Sequence, residues 1–246
     1  MSSQHQTPKL YTMESLFRVT KRVITDLVNN EKDIKTVLDL PSGGGALAYY
    51  LKNQLGLSVV AADIDPNKFD ASVCPFFKVD LNQVLPFGDN SFDLVVCMEG
   101  LKHVSYLELA IKELARVTKK GCYLIVTIPN DLCMEARLSY FFDGFVDLEW
   151  KRALPPNHPD VTNYLYIKSL ISLPYLYFYF EQNGLRLLKT ETSHYRFWSL
   201  LLALLLYPIL IIAVWRRVSV HHPLFREMIS LVWLAGKRNV LVLKKN

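Results

Sequence analysis

His103 is a candidate for moving a proton near neutrality, because an unperturbed imidazole titrates there. It ends the segment Glu99-Gly100-Leu101-Lys102-His103, directly after an apolar run. Two readings stay open for it. It is a general base that takes a proton from a substrate hydroxyl, or it fixes its own loop or caps the helix that follows. The other groups with chemistry to offer are acids at the ends of apolar runs. Asp39 lies near the end of TVLDL, Asp63 and Asp65 end SVVAADID, and Asp80 follows PFFKV. Between the first two acids lies PSGGG, whose three consecutive glycines let the backbone bend sharply and lie against a ligand.

The elements that must hold these groups follow from the pattern. TVLDL reads as a short buried parallel strand. ALAYYLKNQL has good helix formers, and SVVAADID is a second apolar run. Strand, glycine loop, helix and strand with an acid at its tip make a nucleotide-binding βαβ unit. A dinucleotide fold would want GxGxxG, with a pyrophosphate at the helix N-terminus. The spacing here is Asp39-x-Pro41-x-Gly43-x-Gly45.

That spacing resembles motif I of the class I S-adenosylmethionine (SAM) methyltransferases, (D/E)xGxGxG, with Pro41 where the family usually has glycine. SAM has no phosphate but carries a cationic sulfonium, an amino-acid end and a ribose, which acids at strand tips suit. The resemblance implies a doubly wound, Rossmann-like α/β fold with a seven-stranded sheet and helices on both faces. It implies SAM as cofactor, bound by Asp39, Ser42, Gly43, Gly45, Asp63, Ile64, Asp80, Leu81 and Glu99. In the family the acid at the place of Asp63 accepts from both ribose hydroxyls, though a helix cap or surface acid is the alternative here. Asp80 matches the position that contacts the adenine amino group. Glu99 is expected to contact SAM rather than perform chemistry.

LPFGDNSFDLVVCMEG resembles the turn and fourth strand of many small-molecule methyltransferases, so Met98 to His103 should face the transferred methyl group. EGLKH resembles the ExxEH segment of quinone-type O-methyltransferases, with Lys102 replacing the second acid. That replacement removes a metal ligand, and no metal site is expected. The (N/D)PP(Y/F) tetrapeptide of nucleic-acid amino-methyltransferases is replaced by MEGL. Cys74 precedes its proline and lies in the wrong element for a cytosine-C5 nucleophile.

A single methyltransferase domain over residues 1–246 is expected to carry two elaborations. Leu10–Val28 reads as an amphipathic helix over the sheet. SYLELAIKELARVTKKG reads as a helix closed by Lys119, Lys120 and Gly121, with GCYLIVTIPN as the fifth strand. Residues 131–163 form the first elaboration, a substrate lid. Its Phe141, Phe142, Phe145 and Trp150 line an apolar acceptor pocket or pack the lid onto the domain. His158 and Asp160 sit in turn-rich sequence and read as surface groups. The segment around YLYFYF reads as a helix with Gly184 as its cap, and its aromatic face suits lipid or a partner.

The second elaboration is residues 196–236. Phe197–Trp215 is 19 residues without a charge, near the roughly 20 needed to span a bilayer. RNVLVLKKN, however, reads as a seventh strand that pairs antiparallel beside the sixth, and both must then lie on one side of a membrane. A helix that dips or lies in the interface, kinked at Pro208, reconciles the two. PLFREMISLVWLAG reads as the helix that returns the chain to the sheet. A helix buried in a homodimer is the alternative. The net charge of +5 without a dense Lys/Arg run fits an anionic membrane surface and no nucleic-acid partner. Cys74, Cys97, Cys122 and Cys133 lack metal-ligand spacing and suit a reducing compartment. MSSQHQTPKL has no apolar core of a secretory signal.

These readings lead to an expected O-methyltransferase acting on a membrane-associated acceptor: a lipid-linked sugar, glycolipid or isoprenoid quinone. It is expected in the cytoplasm, peripheral or monotopic on the inner face of the membrane. Two alternatives remain. One is a methyltransferase of a soluble small molecule or protein with the apolar stretch as dimer interface. The other is a non-catalytic SAM-fold module in a membrane assembly.

Overall fold

The computed structural model describes residues 8–143 and 171–246. Phe145, Trp150, His158 and Asp160 lie outside the described residues. The strands are β1 (Thr36–Asp39), β2 (Ser58–Asp63), β3 (Phe76–Lys78), β4 (Phe92–Met98), β5 (Thr118–Pro129), β6 (Leu185–Thr192) and β7 (Arg238–Lys245). They form one seven-stranded sheet in the order β3-β2-β1-β4-β5-β7-β6. β1 to β5 are parallel, and β7 runs antiparallel between β5 and β6. The expected sheet and the expected place of the last strand are both found.

Alternation along the strands builds two cores. Leu38, Val95, Leu124 and Leu241 face one way and pack with helices α3 (Leu107–Val117) and α5 (Leu173–Gln182). Val37, Leu94, Ile125 and Val240 face the other and pack with α1 (Glu14–Asn30) and α2 (Ala46–Asn53). Both faces are covered, which is why β1 and β4 read as continuous apolar runs. The LPFGDNSFD turn is fixed from α3. Buried Glu113 accepts from the Leu85 N–H at 2.8 Å, and Arg116 donates to Glu113, to Asp89 and to the carbonyls of Leu85 and Phe87.

Three boundaries differ from the sequence reading. α1 starts at Glu14 rather than Leu10, and residues 8–13 instead run as an arm beside the glycine loop. α3 ends at Val117, and Lys119, Lys120 and Gly121 lie in β5. Ladder bonding decides this: Ser91 N–H bonds the Val117 carbonyl, Thr118 registers with Phe92, and the register shifts before Leu94. The return segment is two helices, α7 (Pro223–Ile229) and α8 (Leu231–Ala235), broken at Ser230, whose hydroxyl bonds the Glu227 carbonyl at 2.9 Å.

Helix α4 (Met134–Asp143) falls in the segment expected to form a lid. Helix α6 (Phe197–Trp215) has the bounds of the uncharged run and passes unbroken through Pro208. Its base is tied to the domain. The Arg196 N–H bonds the Ala235 carbonyl at 2.7 Å, Tyr195 bridges Gly236, and the Arg196 guanidinium pairs with Glu135 at 2.9 Å. Beyond its far end Val218 packs against the main core and His222 meets the Tyr177 ring at 5.4 Å. Both ends, roughly 28 Å apart at 1.5 Å per residue, thus rest on the same domain. Ala203 packs with Met134 and Leu234. The outer side chains Leu201, Leu204, Leu205, Ile209 and Ile212 are exposed, Leu205 to 73%.

Candidate cofactor and acceptor site

The carboxyl ends of β1, β2 and β4 surround a cavity of about 420 Å³, within the usual size range of small-molecule pockets. Leaving β1, the chain turns through a cis Leu40–Pro41 peptide and crosses the sheet, with Ser42 N–H on the Ala62 carbonyl at 2.9 Å. Asp63 holds the glycine loop from the tip of β2. One carboxylate oxygen accepts from Gly43 N–H at 2.8 Å and the other from Asp65 N–H at 3.1 Å. Asp65 lies beyond the end of β2 and caps a short turn by accepting from Asn67 N–H.

Ser42, Gly43, Asp63, Ile64, Asp80, Leu81, Glu99 and His103 all line this cavity. The fold therefore brings together most of the residues singled out in the sequence. Two do not line it. Gly45 lies at the start of α2 with φ +87°, and a Cβ there would sit 2.8 Å from the Phe69 ring. It is glycine because the loop turns left-handed against an aromatic wall. Asp39 lies beneath the loop, fully buried, and among the described residues neither of its carboxylate oxygens has a hydrogen-bond partner. Burial, helped by the charge of Asp63, pushes Asp39 up to about 8.

At one end Asp80 accepts from the backbone and side-chain amides of Asn82, both at 2.8 Å. Asn82 in turn accepts from Ser105 N–H at 2.6 Å, so this wall is tied to the loop before α3. At the other end Glu99 sits at φ +60°, a strained conformation for a non-glycine residue. Its carboxylate pairs with Lys102 at 2.6 Å and with Arg238. His103 closes a single 3₁₀ turn and faces the cavity. It does not cap α3, whose N-cap is Tyr106.

Sequence reasoning missed two parts of the wall. Residues 9–13 form a strap along the glycine loop, and a Cβ on Gly44 would lie 2.3 Å from the Lys9 carbonyl oxygen. The consecutive glycines were the signal: the missing Cβ of the middle one makes room for the Lys9 backbone. Arg238, from the first position of β7, had no local signal at all.

The site is suited to a polar, partly cationic ligand. Acids stand at the strand tips, and the buried hydroxyl of cavity-lining Ser42 has no hydrogen-bond partner among the described residues. A bound polar ligand would satisfy such a group.

Residues 38–126 match the family model described as a methyltransferase domain. Over 102 residues the chain is 37% identical to an uncharacterized protein of Methanocaldococcus jannaschii, covering 41% of this chain and 43% of that one. Over 97 residues it is 37% identical to the ubiquinone/menaquinone biosynthesis C-methyltransferase of Stenotrophomonas maltophilia, covering 35% of this chain and 38% of the relative. The chain thus matches only about two fifths of those relatives' lengths. A SAM-dependent methyltransferase of Archaeoglobus fulgidus superimposes with a TM-score of 0.57 at 16% identity, over 93% of this chain and 94% of that one.

Proposed function

We infer that this protein, whose residues 38–126 form a class I SAM-dependent methyltransferase domain, methylates an oxygen of an acceptor held at a membrane surface. SAM supplies an electrophilic methyl group. The chain's own task is to bind the cofactor, orient the acceptor and take its proton. Asp63 and the Gly43–Gly44 backbone would hold the ribose and amino-acid portions, and Asp80 and Leu81 the adenine. His103 on the cavity wall would accept the acceptor's hydroxyl proton.

The single observation that supports a membrane acceptor is α6. Its mean hydropathy is 2.6, yet only 17% of its most apolar window is buried. An apolar face of that size needs cover. Both ends rest on one domain, so a helix lying in the inner membrane face covers itself without crossing. Arg216 and Arg217 follow its end and suit anionic headgroups. Phe141 and Phe142, exposed on α4, would add to the same apolar approach.

The name of the Stenotrophomonas relative favours a second reading, carbon methylation of a quinone ring. Incubation with methyl-labelled SAM and separated membrane and soluble extracts tests both. Label should enter the lipid extract in a form released by ether or ester cleavage. Cleavage-resistant label would favour carbon, and label confined to soluble products would overturn the membrane acceptor.

Two variants probe the site. Asp63→Ala removes a charged acceptor and frees Gly43, and should weaken SAM binding by about 10–100-fold, equivalent to roughly 1.5–3 kcal/mol. Unchanged affinity in calorimetry would sink the ribose assignment. His103→Ala should lower kcat by about 10²-fold or more while SAM affinity holds. A loss of only a few-fold would make His103 a wall residue.

A further inference from the structure

We propose that Arg137 and Arg196, at the joint between α4 and α6, form an oxyanion site for the phosphoryl head group of a membrane amphiphile. The two guanidiniums select the anion, and the choice of an amphiphile rests on the lipid-facing reading of α6.

The joint is short of negative charge. Arg196 donates to Glu135 at 2.9 Å, whereas Arg137 donates through Nε to the Leu132 carbonyl at 2.7 Å and pairs with no acid among the described residues. Each keeps a buried donor without a hydrogen-bond partner among the described residues: Nη2 of Arg137 and Nε of Arg196. Both guanidiniums lie within electrostatic reach of the buried Cys133 thiol, which places them around one spot. A guanidinium keeps its charge, and a charge taken out of water without a counter-ion is destabilising. A phosphoryl group supplies what is missing: negative charge and several acceptor oxygens in a geometry that suits the guanidinium fork.

The surroundings favour an amphiphile over free phosphate. Phe141 lies one turn beyond Arg137 on the same side of α4 and is 77% exposed. Phe197 and Trp198 directly follow Arg196 and are exposed, with their rings in edge contact at 5.4 Å. Glu135, Arg137 and Arg196 are themselves half-buried, so the joint keeps contact with solvent. Cations at the root of α6, aromatic rings beside them and the apolar length of α6 beyond follow the order of a lipid: head group, interface, tail.

The test titrates the full-length protein with octyl phosphate, octyl glucoside and inorganic phosphate, the amphiphiles being kept below micelle formation. Octyl phosphate should bind at least about tenfold tighter than either of the others, as expected for hydrogen bonds to a charged group. Arg137→Met and Arg196→Gln should each lose most of that preference and keep the affinity for octyl glucoside. Without ligand, Arg137→Met should melt no lower than wild type, because it removes a charge that has no counter-ion. Arg196→Gln also breaks the pair with Glu135, so Arg137→Met decides if that variant folds poorly. Equal binding of the two octyl compounds to wild type, or a preference that survives both substitutions, overturns the site and leaves the lipid-facing reading of α6 standing. A marked fall in the melting temperature of Arg137→Met gives Arg137 to a counter-ion within the chain and also overturns it. Inorganic phosphate that binds as tightly as octyl phosphate overturns the amphiphile. The lipid-facing reading fails separately, if wild type does not pellet with anionic vesicles.

Discussion

With Leu205, Ile209 and Ile212 all changed to Glu, the protein is expected to stay in the supernatant when centrifuged with anionic vesicles, whereas wild type pellets. The three side chains are 73%, 64% and 56% exposed on the outer face of α6. Their replacement leaves the packing of Ala203 on Met134 and Leu234 untouched. Burying an exposed Leu or Ile side chain in lipid contributes about 1.5–3 kcal/mol, so losing three removes several kcal/mol before the charges are counted. Vesicle affinity should therefore fall by at least about 100-fold, while SAM binding is retained. A variant that pellets like wild type would overturn the lipid-facing reading. A wild type that is dimeric without lipid, beside a monomeric variant, would give the face to a second copy. Cysteines placed at Ser193 and Ser219, on either side of α6, should be labelled from the same side of sealed vesicles. Labelling from opposite sides would mean that the helix crosses.

The second large effect is expected from Asp39→Asn, read as stability against pH. Burial and the neighbouring Asp63 charge raise the Asp39 carboxyl from 3.8 to about 8 in the folded chain. Below about pH 4 both folded and unfolded states hold the proton, and the residue causes no pH dependence. Between about 4 and 8 the unfolded state releases it and the folded state does not, so stability falls as pH rises. Above 8 both are ionised and the loss is constant. Asn cannot titrate. The stability of the variant relative to wild type should therefore grow from pH 4 to pH 8 by a few kcal/mol and then level off. Urea unfolding at pH 5, 7 and 9 measures it. A difference that is flat across that range would mean that Asp39 is ionised in the unliganded fold.

The parts of this molecule legible in the sequence are those whose partners are close in the chain. β1, the glycine loop, α2 and β2 fall within 30 residues, and their acids and glycines carry the reading. The uncharged run marked α6 to the residue because a break in hydropathy needs no tertiary information. The parts that were not legible depend on distant partners. Lys119 and Lys120 resemble a helix end, but the ladder with β4 draws them into a strand. The strap at residues 9–13 is placed by backbone contact with Gly44, more than 30 residues away. Arg238 enters the site only because β7 is threaded between β5 and β6. A lysine, an arginine and a glutamate separated by 139 positions at the extremes carry no periodicity that could announce an ion cluster.

The threading of β7 also dictates an order of assembly. β7 follows its neighbours in the chain, yet it bonds both β5 and β6 along its length. Among the described residues β6 has no other strand to join, so neither it nor the edge beyond β5 forms while the ribosome still holds β7. During that interval α6 has been synthesised without its seat, because Leu234 and Ala235 stand on the strand-bound side of the missing segment. An apolar helix waiting beside an unfinished sheet is an aggregation hazard in water. A membrane surface met during translation would shelter it, so the lipid surface we propose for the finished protein would also serve as its folding partner.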